Sequence, residues 1–156
     1  MPKIIVLASG TRGDVQPAVA LSSYLGSRGY DITICGGLNI KDLAEAYSCR
    51  FIPMGADNEA FVARAPDPTK QPVKATRALT DYVIQEMEIQ FRQLPEKAGD
   101  ADLILGATFG FAAASMAEAL NKPFGYLAYC PQVLQSSHHP ALFVKSHRHS
   151  KVFNRL

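Results

Sequence analysis

The stretch KIIVLASGTRGDVQPAVALSSYL, residues 3–25, decides the fold. Its first part, residues 3–9, is a nearly unbroken apolar run with β-branched side chains, the pattern of a strand covered on both faces. Gly10 ends the run. From Val15 the apolar spacing changes to Val15, Ala18, Leu21 and Leu25, a stripe of helical period that stops at Gly26 and Gly29. Proline suits a first helical turn and biases the residue before it away from helical geometry, so the helix is expected to begin at Pro17, with Gln16 nearest its cap. Asp14 then falls in the loop ahead of the helix.

Outward from this unit the alternation repeats. Residues 31–35, 50–53, 101–107 and 123–128 read as strands, and residues 40–47 and 110–121 as helices. A longer helix starts at Val73, carries an apolar stripe through Leu79, Val83, Met87, Phe91 and Leu94, and is closed by Pro95 and Gly99. Residues 55–72, with Pro66, Pro68 and Pro72 among polar neighbours, read as a long loop suited to binding. The order implies one α/β domain: a doubly wound, mostly parallel, Rossmann-like sheet with right-handed crossovers. Such sheets bind ligands outside the carboxyl ends of their strands. That edge holds residues 9–16, the loop after Pro53, and the segments after Ala107 and Ala128.

Composition agrees with a single globular domain. The chain has 156 residues, 47% hydrophobic and 19% charged, enough to bury a core without staples. A net charge of +2 gives no reason to expect a nucleic-acid partner. Cys35, Cys49 and Cys130 have no metal or redox spacing and read as small buried hydrophobes in a reducing cytoplasm. The opening MPKIIVLAS lacks the features of a signal peptide, and no run approaches the length of a membrane span, so a cytoplasmic protein is expected.

The turn after the first strand carries the chemistry. Its glycines are spaced G-x-x-G, and the second strand ends Cys35-Gly36-Gly37, so neither the G-x-G-x-x-G of a dinucleotide fold nor its acidic ribose anchor is present. The phosphate loop, the nucleophile elbow and the H-E-x-x-H zinc helix are also missing from the sequence. Asp14 has two open readings. It is a helix cap, or it is a carboxylate facing the crevice, where it can act as a general base. Either way it lies beside a helix start, whose exposed N–H groups favour negative charge.

The stretch GTRGDVQPAVALSSYLGSRGYDITICG resembles the opening of the glycosyltransferase family 28 and sterol or lipid glucosyltransferase group. The similarity continues through residues 50–55, 110–123 and 131–140. The resemblance implies one half of a GT-B fold, in which the first Rossmann-like domain binds the acceptor and the second the nucleotide sugar. It implies that Asp14 is the catalytic base of an inverting transfer. It also implies that Gly10, Thr11, Arg12 and Gly13 form a donor-proximal loop and that Phe109, Gly110, Gln132, His138 and His139 line the acceptor region; Arg12 either offers charge to the donor or, the favoured reading, points to solvent, and His138 and His139 fit an exposed polar loop as well as acceptor contact. The expected donor is a UDP-hexose, the expected acceptor a sterol, lipid or natural product, and no metal or cofactor is implied. Residues 1–156 then form an acceptor-binding domain, inactive alone, whose donor-binding partner domain lies outside this chain. The competing reading is a non-catalytic Rossmann-like module that binds a nucleotide or small ligand.

The histidines at 138, 139, 147 and 149 lack the helical spacing and carboxylate partners of a metal site. Lys145, Arg148, Lys151 and Arg155 alternate with Phe143, Val144, Val152 and Phe153, which leaves two readings open: peripheral contact with an anionic membrane, or a helix that packs on the missing half.

Overall fold

The computed structural model describes residues 1–130 and 137–138. Five strands, β1 (Lys3–Leu7), β2 (Asp31–Gly36), β3 (Arg50–Pro53), β4 (Leu103–Ala107) and β5 (Phe124–Leu127), form one sheet in the order β3-β2-β1-β4-β5. Every pairing is parallel, with Val6 opposite both Ile34 and Leu105. Among the described residues, five α-helices lie in the crossovers: α1 (Arg12–Ser27), α2 (Lys41–Ala46), α3 (Asn58–Arg64), α4 (Pro72–Ala98) and α5 (Ala113–Ala119).

Period-two alternation along β1 divides the core between the two faces of the sheet. Ile4, Val6 and Ala8 pack with Ile32, Ile34 and the Val15, Ala18, Val19 stripe of α1. Ile5 and Leu7 pack with Ile104, with Leu94 and Ala98 of α4, and with Ala113 and Ala117 of α5. Both faces are covered, which is why β1 reads as a continuous apolar run. Burying a side chain such as Leu7 contributes about 1.5–3 kcal/mol.

Several boundaries differ from the sequence reading. Residues 55–72 are not all loop, because α3 forms within them, started by the Asp57 side chain accepting from the Ala60 N–H at 3.0 Å. α5 begins at Ala113 rather than at residue 110. The Gly110 N–H is turned onto the Ala107 carbonyl at 2.6 Å, and the backbone there crowds against β1. Pro95 does not end α4, which runs on to Ala98.

The largest difference is the inward face of α4. Tyr82, Glu86, Gln90, Leu94 and Ala98 are buried, whereas Leu79, Met87 and Phe91 of the apolar stripe are exposed. Both sets are spaced by four residues, so either could form one face of a helix. Hydrogen bonds to the loops at the carboxyl edge select the polar one.

Candidate functional site

The site is built around Asp14. α1 starts at Arg12, with Thr11 as its N-cap, so Asp14 is the third residue of the helix and not part of the preceding loop. Its Oδ2 accepts from the Thr11 N–H and from Thr11 Oγ1, each at 2.8 Å, and this cap outweighs the preference of Pro17 for a later start. Pro17 therefore sits inside α1, where it lacks one intrahelical hydrogen bond. Asp14 is half-buried and forms no ion pair with the described residues. Its Oδ1 accepts from none of them.

Gly10 has φ +129°, and a β-carbon there would lie 2.7 Å from both Cβ and Oδ2 of Asp14. The vacancy at residue 10 is thus filled by the carboxylate itself. The carbonyl of Gly10 accepts from Asn39 Nδ2 at 3.1 Å, which ties the turn to the segment after β2. Gly13 has open space around it, the nearest atom to a β-carbon being Thr11 Oγ1 at 4.0 Å. Arg12 is exposed and pairs with none of the described carboxylates.

The segment after β5 also begins at the carboxyl edge of the sheet. Burial, and then the charge of Asp14, push the Tyr129 phenol up to about 12, so it stays protonated near neutral pH. Phe109 and Gly110 lie at the same carboxyl edge, after β4. A β-carbon at Gly110 would fall 2.7 Å from the Leu7 carbonyl oxygen, so this loop lies against the end of β1. The rings of Phe109 and Phe111 sit 5.7 Å apart. His138 lies at the surface, and Gln132, His139 and the basic tail are outside the described residues.

Beneath the site runs a buried polar network that hydrophobicity does not reveal. Tyr82 Oη donates to Asn58 Oδ1, and Asn58 Nδ2 donates to Ser9 Oγ at 3.3 Å. Burial first, and the charge of Glu86 second, push the Tyr82 phenol up to about 12. Glu86 Oε2 accepts from the Ala56 N–H at 2.6 Å. Gln90 Nε2 donates to Glu86 Oε1 at 2.8 Å and to the Phe109 carbonyl at 2.7 Å, while its Oε1 accepts from the Ala112 N–H at 3.1 Å. The available signal was the four-residue spacing of Tyr82, Glu86 and Gln90.

Two hollows flank α3. One, of about 640 Å³, lies against α4 and is lined by Ala60, Phe61, Arg64, Tyr82, Gln85 and Ile89 among others. The other, of about 260 Å³, is lined by Thr11, Arg12, Asn39, Asn58, Glu59, Val62 and Ala63. Positions 59, 62 and 63 face one and positions 60, 61 and 64 the other, so α3 is a wall between them. Only the smaller hollow reaches residues 11 and 12 of the candidate loop. Among the described residues, no three His, Cys, Asp or Glu side chains gather to hold a metal, and no helix is long and apolar enough to cross a membrane. Cys35 and Cys49 are buried, whereas Cys130 is half-buried.

The model of the glycosyltransferase family 28 N-terminal domain matches residues 4–137. The chain belongs to that family. Glycosyltransferase GtfC of Amycolatopsis orientalis is 29% identical over 140 residues, which cover 88% of this chain and 33% of the relative. The vancomycin aglycone glucosyltransferase of the same organism is 25% identical over 143 residues, again 88% of this chain and 33% of the relative. The chain therefore spans a third of the length of these curated relatives. Among solved structures, the glycosyltransferase SsfS6 of Streptomyces sp. SF2575, complexed with thymidine diphosphate, superposes with a TM-score of 0.58 at 19% identity. That superposition covers 81% of this chain and 38% of SsfS6, and it shows a shared fold. The family 28 domain seen here is thus a parallel Rossmann-like α/β unit of the kind found in GT-B glycosyltransferases.

Proposed function

We propose that this chain is the acceptor-binding half of an inverting glycosyltransferase, with Asp14 as the base that takes the proton of the acceptor hydroxyl. The observation that carries the reading is the division between the two oxygens of Asp14. Oδ2 is held by Thr11 at 2.8 Å, and Oδ1 accepts from none of the described residues. A carboxylate fixed through one oxygen, with the other engaged by none of the described residues, is oriented to receive a proton. It stands at the carboxyl edge of a parallel sheet, where this class of fold binds ligands.

In the proposed step, the acceptor O–H proton passes to Asp14 as the acceptor oxygen bonds to the anomeric carbon of the donor sugar. The bond from that carbon to the nucleoside diphosphate breaks on the opposite face, and its electron pair leaves with the diphosphate. Configuration inverts without a covalent enzyme intermediate. Holding both substrates in line supplies much of the rate. Tyr129, kept protonated in part by the charge of Asp14, is a further hydrogen-bond donor in this reading.

The donor in this reading is a UDP-hexose, held by a second domain in a longer protein. Relatives about three times as long support the second domain, and a fold neighbour complexed with thymidine diphosphate supports a nucleotide-sugar donor, whichever its base. The acceptor is a lipophilic hydroxyl compound such as a sterol, lipid or natural product, and a relative named for the vancomycin aglycone supports the last class. The protein works in the cytoplasm, with peripheral membrane contact through the basic tail as a subsidiary proposal.

The test is Asp14→Asn in the two-domain protein, assayed for transfer from UDP-glucose. The expected result is a fall in kcat of about 10²–10⁴, with donor affinity nearly unchanged. Unaltered turnover removes the assignment. The helix cap favours a second reading, in which Asp14 only holds α1. The variant would then lose about 1 kcal/mol of stability, and turnover would fall only in step with the folded fraction.

A further inference from the structure

We propose that Glu86 and Gln90 are positioning residues, a buried strut that sets the loop after β3 relative to the loop after β4 and so governs acceptor binding. The proposal rests on the glycosyl-transfer reading for what the loops do, and on the observed hydrogen bonds for how they are held.

Both side chains are fully buried, one helical turn apart on α4. Their outward bonds to the described residues all end on loop backbone at the carboxyl edge. Glu86 takes the Ala56 N–H, while Gln90 gives to the Phe109 carbonyl and takes the Ala112 N–H. The bond from Gln90 Nε2 to Glu86 Oε1 joins the two ends. Gln90 thereby uses both amide N–H groups and its oxygen, leaving little slack in the connection.

A purely cohesive role does not call for these residues. Helix and sheet adhere through apolar burial, and replacing a buried ionic or polar group by a well-packed hydrophobe is often neutral or stabilising. Here the reverse arrangement holds. A carboxylate that pairs with no described cation is placed inside, while Met87 and Phe91 of the same helix remain at the surface. Polar groups cost more to bury, but they fix direction and distance in a way that apolar contact does not. Gly55 fits the same picture. With φ +104°, it lies so near the carboxylate that a β-carbon would be 2.5 Å from Glu86 Oε1. The two loops held by the strut carry Gly55 and Ala56 of the larger hollow on one side, and Phe109 and Gly110 on the other.

The experiment uses the full-length protein with two variants. Gln90→Met keeps the volume and removes all three bonds, and Glu86→Gln gives a milder change should the first fail to fold. Amide hydrogen exchange is read at Ala56 and Ala112. Coupling predicts that Gln90→Met speeds exchange at Ala56, which Gln90 does not touch, and that Glu86→Gln speeds it at Ala112, while β1 and β4 stay protected. Exchange confined to the directly bonded loop overturns the strut.

Transfer from UDP-glucose to 4-methylumbelliferone gives the second readout. The acceptor KM should rise about tenfold or more in Gln90→Met, with the donor KM within about twofold. Val19→Ala, a core change on the opposite face of the sheet, should lower stability and leave the acceptor KM alone. An unchanged acceptor KM in folded Gln90→Met, or an equal rise in Val19→Ala, overturns the positioning role. A wild-type protein that transfers nothing to this probe counts against the glycosyl-transfer reading instead, and the exchange measurements then decide the strut by themselves.

Discussion

Asp14 occupies the space that a side chain on residue 10 would need. A β-carbon there would lie 2.7 Å from Oδ2 of Asp14, in a backbone conformation, φ +129°, that side chains rarely adopt. The glycine and the carboxylate are therefore one unit, the first making room for the cap that the second provides. Gly10→Ala should lose about 1–3 kcal/mol and displace Asp14. Urea unfolding measures the first effect. Transfer in the two-domain protein measures the second, which should exceed what the lost stability accounts for.

Thr11→Val separates capping from catalysis. It removes the hydroxyl that donates to Asp14 at 2.8 Å and keeps the backbone N–H bond of the same length. Stability should fall by about 0.5–2 kcal/mol. Turnover should fall far less than in Asp14→Asn, and equal losses in the two variants would argue that Asp14 acts only as a cap.

The faces of α4 can be told apart by substitution. Leu94 is completely buried and Val73 is 81% exposed on the same helix. Leu94→Ala should cost about 2–5 kcal/mol and Val73→Ser no more than about 0.5 kcal/mol, read from denaturant midpoints. Comparable losses would mean that the helix is rotated from the orientation described.

Tyr82 should make the domain sensitive to alkali. Its folded pKa is raised to about 12 by burial and by the charge of Glu86, above the ordinary value near 10. A raised value means that its contribution is fully present below the unfolded pKa. It is lost as pH climbs through about 10 to 12, by at most about 2–3 kcal/mol. Unfolding midpoints across that window should fall less in Tyr82→Phe than in the wild type. The same variant should be less stable at neutral pH, because Asn58 Oδ1 loses its donor.

Cys35 should resist alkylation in the folded protein. Burial pushes its thiol up to about 12, so little reactive thiolate exists near pH 8. Mass spectrometry after iodoacetamide treatment should find Cys35 modified only when the chain is unfolded first.

The sheet was legible because β1 is buried on both faces and its neighbours alternate with helices, signals that local patterning carries strongly. The turn was legible as a place and misread in detail. Pro17 announced a helix start, but the Thr11–Asp14 hydrogen bonds begin the helix earlier, and Pro17 sits inside it despite the lost bond. α4 misled for a different reason. Met87 and Phe91 mark an apolar stripe as plainly as Glu86 and Gln90 mark a polar one, and the choice between them depends on Ala56, Phe109 and Ala112, which are distant in sequence. The α3 turn was hidden among the prolines of residues 55–72, its start depending on a single Asp57 cap.

The wall formed by α3 bears on how such a domain changes its diet over generations. Glu59, Val62 and Ala63 shape one chamber and Ala60, Phe61 and Arg64 the other, and none of these six belongs to either core cluster. Single-codon changes along these six consecutive residues can thus resize either hollow separately, while the sheet keeps its packing. Under the proposed acceptor-binding role, new acceptors would become accessible without a passage through unstable intermediates.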